Sequence, residues 1–215
     1  DVFSTYLYKG TGSTRSINTS VDMSKGGLVW IKNRDGNVDH NLYDTERGVG
    51  KYINSNTTDA EGTSSPRLNA FNSNGFGLGG NSTVNGSGID FASWSFRKAP
   101  GFFDVVTYTG NSTAGRQVSH NLESTPGIMM VKCTSTAGEP WSVYHKDLGA
   151  TKHLKLNTDS VYSTNTEPWN NTEPTSTHFT LAQYNSSNGS GKTYVAYLFA
   201  GGESTAATAR SVDFD

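Results

Sequence analysis

Four large apolar residues in a row occur twice, each run opened by glycine and closed by lysine: Gly27-Leu28-Val29-Trp30-Ile31-Lys32 and Gly127-Ile128-Met129-Met130-Val131-Lys132. A strand with no polar face must be covered on both sides, so each run is expected to be a central strand. Elsewhere the pattern alternates. Phe91-Ala92-Ser93-Trp94-Ser95-Phe96 and Tyr194-Val195-Ala196-Tyr197-Leu198-Phe199 read as long strands. Ala92, Trp94 and Phe96 are expected to point inward in the first, and Val195, Tyr197 and Phe199 in the second. Ser93 and Ser95 then suit water. Ala196 and Leu198 form an outer face that should be covered, by the other half of the chain or by a neighbouring subunit. Helical spacing of apolar residues is not evident, and short alternating segments recur at roughly 8–12-residue intervals, which predicts an all-β sandwich.

The two apolar runs belong to a longer correspondence. Phe3-Ser4-Thr5-Tyr6-Leu7-Tyr8 aligns with Phe103-Asp104-Val105-Val106-Thr107-Tyr108, Tyr43 with Tyr144, and Asn56-Thr57 with Asn157-Thr158. Phe76-Gly77-Leu78 aligns with Phe179-Thr180-Leu181. The prediction is therefore two tandem antiparallel β-sandwich repeats of jelly-roll or lectin-like type, over 1–99 and 100–201, with Lys98-Ala99-Pro100-Gly101 as the boundary. Residues 202–215 read as a small-residue linker followed by the first strand of another module. An opening residue other than Met suggests an internal piece of a longer polypeptide.

Composition narrows the functions. The 215 residues include 24 glycines, carry a net charge of -2 and are 17% charged, so no basic footprint for nucleic acid is present. Mean hydropathy is -0.55, and no apolar stretch is long enough to insert in a bilayer. The single cysteine, Cys133, can form neither an internal disulfide nor a cysteine cluster, and is expected to be a buried thiol.

Candidate chemistry is sparse. The stretch from Asp39 to Arg47 gathers the densest set of ionisable groups: Asp39, His40, Asp44, Glu46 and Arg47. It reads either as a carboxylate pair or metal site, or as a solvated strand and turn whose acids pair with Arg47 or cap amides. The second half has Trp141-Ser142-Val143-Tyr144-His145-Lys146-Asp147 there, so chemistry needing both carboxylates would be lost from it. The five histidines have no metal-ligand spacing, and no nucleophile elbow or phosphate loop occurs. No catalytic residue, metal or cofactor is expected. The loop Glu167-Pro168-Trp169-Asn170-Asn171-Thr172-Glu173-Pro174 is the candidate sugar platform. Trp169 would stack on a pyranose, Asn170 and Asn171 would bond hydroxyls, and Tyr162 would stand beside them. The other reading folds Trp169 back over the sandwich edge.

Longer ordered motifs carry a resemblance. Tyr108-Thr109-Gly110-Asn111, Val118-Ser119-His120-Asn121-Leu122, the run Pro126 to Lys132, Val143-Tyr144-His145 and Tyr194 to Ala200 resemble a repeated domain of unknown function. That domain is found in virion proteins of marine tailed bacteriophages, including cyanophages and pelagiphages. Gly27-Leu28-Val29-Trp30, Asp44-Thr45-Glu46-Arg47-Gly48 and the stretch Ser95 to Asp104 resemble its leading copy. Ser211 to Asp215 resembles the first strand of a laminin-G or concanavalin-A-like domain, a frequent neighbour. The resemblance implies a structural or host-contacting virion protein, a tail-fibre or appendage module on the extracellular surface. Its implied partners are other virion proteins and host surface polysaccharide. Self-assembly, as a trimer on a fibre axis, is expected of such a module. The alternatives are a head-associated decoration protein and a virion-borne glycan-cleaving enzyme, the latter with Asp39, Asp44 and Glu46 as the compact acids.

Overall fold

The computed structural model describes residues 1–65, 67–160 and 168–202. The chain is all-β and divides into two compact units, one of Asp1–Thr57 with Glu61–Lys98, the other of Thr58–Ala60 with the chain from Ala99 on.

In unit 1 the strands are β1 (Phe3–Lys9), β2 (Arg15–Asn18), β3 (Gly27–Asn33), β4 (Asn41–Asp44), β5 (Lys51–Tyr52), β6 (Gly62–Thr63), β7 (Leu68–Asn72), β8 (Gly75–Leu78) and β9 (Asp90–Arg97). A single helical turn, α1 (Ser82–Asn85), precedes β9. The antiparallel sheet β1-β9-β3-β4 faces the sheet β2-β8-β7, while β5 and β6 form a small ribbon. Between the two larger sheets lie Tyr8, Val29, Ile31, Tyr43 and Phe91 from one side and Ile17, Leu68, Phe76 and Leu78 from the other. The apolar run of β3 thus sits where its pattern demands, between β9 and β4, with Leu28, Val29 and Ile31 fully buried.

Unit 2 contains β10 (Phe103–Thr109), β11 (Arg116–Ser119), β12 (Pro126–Cys133), β13 (Ser142–His145), β14 (His178–Leu181) and β15 (Thr193–Ala200), with α2 (Asn185–Asn188) before the last strand. Its main sheet runs β10-β15-β12-β13, and β11 pairs with β14. The core holds Met129, Val131, Cys133, Tyr144, Trp169, Phe179, Leu181 and Leu198. Cys133 is a free, buried thiol.

The faces of the two final strands are the reverse of the expectation from alternation. In β9 the core face is Phe91, Ser93 and Ser95: Ser93 lies opposite Ile31 and Ser95 opposite Val29, and both serines are fully buried. Ser93 Oγ donates to the Tyr6 carbonyl at 3.3 Å. Two small residues there leave room in a core that already holds Phe76, Leu78, Phe91 and Tyr43. Trp94 and Phe96 instead build a half-buried outer layer. Trp94 meets Trp30 edge-on at 6.2 Å, and Phe96 meets Phe3 at 4.9 Å. In β15 the core face is Tyr194, Ala196 and Leu198, so Leu198 is covered by its own unit and needs no external partner. Val195 and Tyr197 on the opposite face are buried as well.

Both units fasten the turn after their first strand in the same way. Asn85 Oδ1 accepts from the Thr11 amide at 3.0 Å, and its Nδ2 donates to the Ser13 and Gly79 carbonyls at 2.7 and 2.8 Å. Asn188 accepts from the Asn111 amide at 3.1 Å and donates to Thr113 and Ala182 at 3.0 and 2.9 Å. Each side chain is fully buried, so truncation leaves several main-chain groups without partners. Asn188→Ala and Asn188→Asp are both expected to destabilise unit 2 by about 3 kcal/mol, read from denaturant unfolding. The aspartate is included because it keeps the shape and loses the two donors.

Candidate functional site

The Pro168–Pro174 loop is held by its own core contacts. Trp169 is 1% exposed and its ring meets Tyr144 edge-on at 6.0 Å. The Ala182 amide donates to the Pro168 carbonyl at 2.8 Å, just as the Gly79 amide donates to Arg67 at 2.8 Å in unit 1. This places Trp169 at the position of Leu68, another core residue. The sugar-platform reading of Trp169 is therefore corrected: an enclosed ring offers no face to a pyranose. Asn170 and Asn171 follow with φ of 53° and 50°, a left-handed pair that asparagine tolerates, and Asn171 is exposed. Glu173 closes the loop by accepting from Tyr144 Oη at 2.5 Å and the Ala150 amide at 2.8 Å. Burial, then the Glu173 carboxylate, pushes the Tyr144 hydroxyl far above the usual tyrosine range. Tyr162 lies outside the described residues.

The acids of the first unit are separately engaged. Asp44 accepts from Arg47 Nε at 2.6 Å and from the Arg47 amide at 2.8 Å, in a pair whose side chains are 0% and 4% exposed. Arg47 continues to the Leu42 carbonyl at 3.0 Å and to Glu61 at 3.3 Å. Glu46 pairs with Lys98 at 2.9 Å, and Asp39 accepts from Asn56 at 2.6 Å. The acids pair and cap as the second reading of this stretch has it, but the strand is not solvated: Asn41–Asp44 is buried throughout. His40 accepts from Trp30 Nε1 at 2.9 Å, and burial, reinforced by Lys32, holds its pKa below the ordinary histidine range. Among the described residues no group of three or more His, Cys, Asp or Glu side chains is arranged to hold a metal ion.

An open depression of about 500 Å³ in unit 2 has different chemistry. It is lined by Glu139, Gln183, Tyr184, Asn185 and Ser186. Glu139 accepts from Lys192 at 2.6 Å and from Ser186 Oγ at 2.7 Å. Burial raises the Glu139 pKa, but those hydrogen bonds and the charges of Lys192 and Lys132 outweigh it, so the carboxylate stays below its ordinary range. Tyr184 is half-buried and packs tilted against His153 at 5.9 Å. Aromatic ring, amides, hydroxyl and carboxylate together can stack on and hydrogen-bond a polyhydroxylated ring.

The sequence carried one signal of this place that pattern reading missed. By the hydrogen bonds that equate Gly79 with Ala182, Gly80 corresponds to Gln183 and Asn81 to Tyr184. Asn81 caps α1 by accepting from the Thr83 amide at 3.0 Å. Tyr184 occupies the same position before α2 and makes no side-chain cap bond. A good cap has given way to an aromatic ring, and a glycine to glutamine. Departures from a local rule tend to mark functional positions.

No curated protein and no solved structure matches the chain. A family model does match it, over residues 1–207, nearly the full length, and the chain thus belongs to the family described as a domain of unknown function (DUF7483).

Proposed function

We propose that the chain is a structural, host-contacting module of a tailed-phage virion appendage, built of two copies of one sandwich, and that it binds surface glycan weakly at the Tyr184 depression. The virion context rests on the sequence resemblance. The scaffold role is supported by how matching polar side chains of the two units are used: the buried Asn85, Asn188 and Lys132, and the half-buried Lys32, all bond main-chain carbonyls. The observation that carries the glycan reading is the replacement of the helix cap by Tyr184 at the rim of a depression whose other walls are amide, hydroxyl and carboxylate.

The test exploits that replacement. Tyr184→Asn restores a cap and removes the ring, so it is expected to stabilise unit 2 by about 1 kcal/mol while abolishing binding on a glycan array. Absence of any glycan signal from the wild-type chain, or its retention by Tyr184→Asn, overturns the binding site. Immunogold labelling of particles separates an appendage from a head-decoration protein.

A further inference from the structure

We propose that β1 is an interaction edge that pairs with β1 of a second copy of this chain, antiparallel and centred on Thr5. Among the described residues the first strand is at the border of its sheet, next to β9 alone. The Arg97 amide donates to the Val2 carbonyl at 2.8 Å and the Gly10 amide to the Ile89 carbonyl at 2.7 Å. Even-numbered residues therefore turn their main-chain groups toward β9. In an antiparallel ladder the alternate residues, Phe3, Thr5 and Leu7, direct theirs away from it. Lys9 follows the same parity, and its outward carbonyl accepts from Arg15 Nη1 at 2.7 Å, so the open edge ends there.

The side chains on this edge are those a solvated border strand avoids. Phe3 is 44% exposed, Tyr6 39% and Leu7 59%; they are three of the six exposed large hydrophobics among the described residues. A seven-residue border strand without proline, with charge only at its end, is a template for strand addition. The sequence is also self-complementary. With Thr5 on a two-fold axis, Phe3 meets the partner's Leu7, Thr5 meets the partner's Thr5, and Asp1 meets the partner's Lys9. Apolar faces apolar and acid faces base, and each contact is made twice, as an isologous interface requires. The corresponding strand of unit 2 offers no such edge, since Phe103 and Val105 are fully buried.

Light scattering and sedimentation equilibrium of the full chain between about 1 and 100 µM are expected to show a reversible dimer. Thr5→Pro removes the central outward N–H, which an edge position tolerates, and Leu7→Lys puts a charge against the partner's Phe3. Each is expected to weaken the dimer about tenfold or more without shifting the melting temperature. Val49→Lys, at a 51% exposed site outside β1, should leave it unchanged. Paired residues on a narrow antiparallel ladder lie about 5.5 Å apart, within disulfide reach. Thr5→Cys should therefore crosslink to itself under mild oxidation, Leu7→Cys should not, and the buried Cys133 should stay silent. A wild-type monomer at about 100 µM, a trimer, a dimer indifferent to Thr5→Pro and Leu7→Lys, or equal crosslinking at both cysteines would each overturn the proposal.

Discussion

Replacing Trp169 by alanine is expected to destabilise unit 2 by about 3–5 kcal/mol, the range for emptying an enclosed aromatic site. The ring is 1% exposed and lies among Tyr144, Phe179, Leu181 and Leu198, which strands on two sheets hold in place and which cannot collapse into the gap. Among the described residues its indole N–H has no hydrogen-bond acceptor. Trp169→Phe, which removes that group and keeps most of the volume, should therefore cost only about 1 kcal/mol. Denaturant midpoints of the two variants, measured with an unchanged m-value, check both numbers. The pair also tests the placement of the residue. A surface platform would show the opposite pattern, with stability kept in the alanine variant.

The second large effect is expected at Asp44. Asp44→Ala leaves the Arg47 guanidinium enclosed without its closest counter-charge, and such a loss costs about 3–5 kcal/mol. The Leu42 carbonyl and Glu61 remain as partners of Arg47, so the lower end of that range is expected. Replacing both members, Asp44→Leu with Arg47→Met, should recover most of the loss, because two apolar side chains need no desolvation of charge. A double-mutant cycle by chemical unfolding reads the coupling directly. Unit 2 manages without the pair: β13 ends at His145, which faces Ile128 as Asp44 faces Leu28.

Much of the fold was legible because its signals are local. Four consecutive apolar residues marked an inner strand, and β3 and β12 do lie inside their sheets, but the cover is incomplete, since Trp30 is half-buried and Ile128 is 37% exposed. Turn-forming residues marked the loops. The faces of β9 and β15 were not legible, because alternation shows that two faces differ without showing which is inner. In β9 the large residues lie outside, where Trp94 meets Trp30 across the strands, while the small serines lie inside beneath residues of the other sheet. That choice depends on volumes contributed by β2, β7 and β8, far away in sequence. Trp169 misled for a similar reason. A tryptophan bracketed by prolines and amides looks exposed until the Ala182–Pro168 hydrogen bond places it over the core. The Tyr184 depression went unnoticed because its signal is a missing cap, visible only once α1 and α2 are compared.

Two lysines at matching positions, the half-buried Lys32 and the buried Lys132, have a consequence for how these loops can change. Lys32 Nζ donates to the carbonyls of Asn33, Gly36 and Val38 at 2.7, 3.3 and 2.9 Å. Lys132 Nζ donates to those of Cys133, Glu139 and Thr58 at 3.1, 3.0 and 3.3 Å. An ammonium that grips oxygen atoms of the main chain is indifferent to what each residue displays outward. Within 34–38 and 134–139 this grip leaves the outward chemistry open to exchange except where a side chain itself bonds the scaffold, as Asp35, Thr134, Ser135 and Glu139 do. Diversification at the remaining rim positions then has little thermodynamic consequence, so the chemistry displayed there can drift while the scaffold does not.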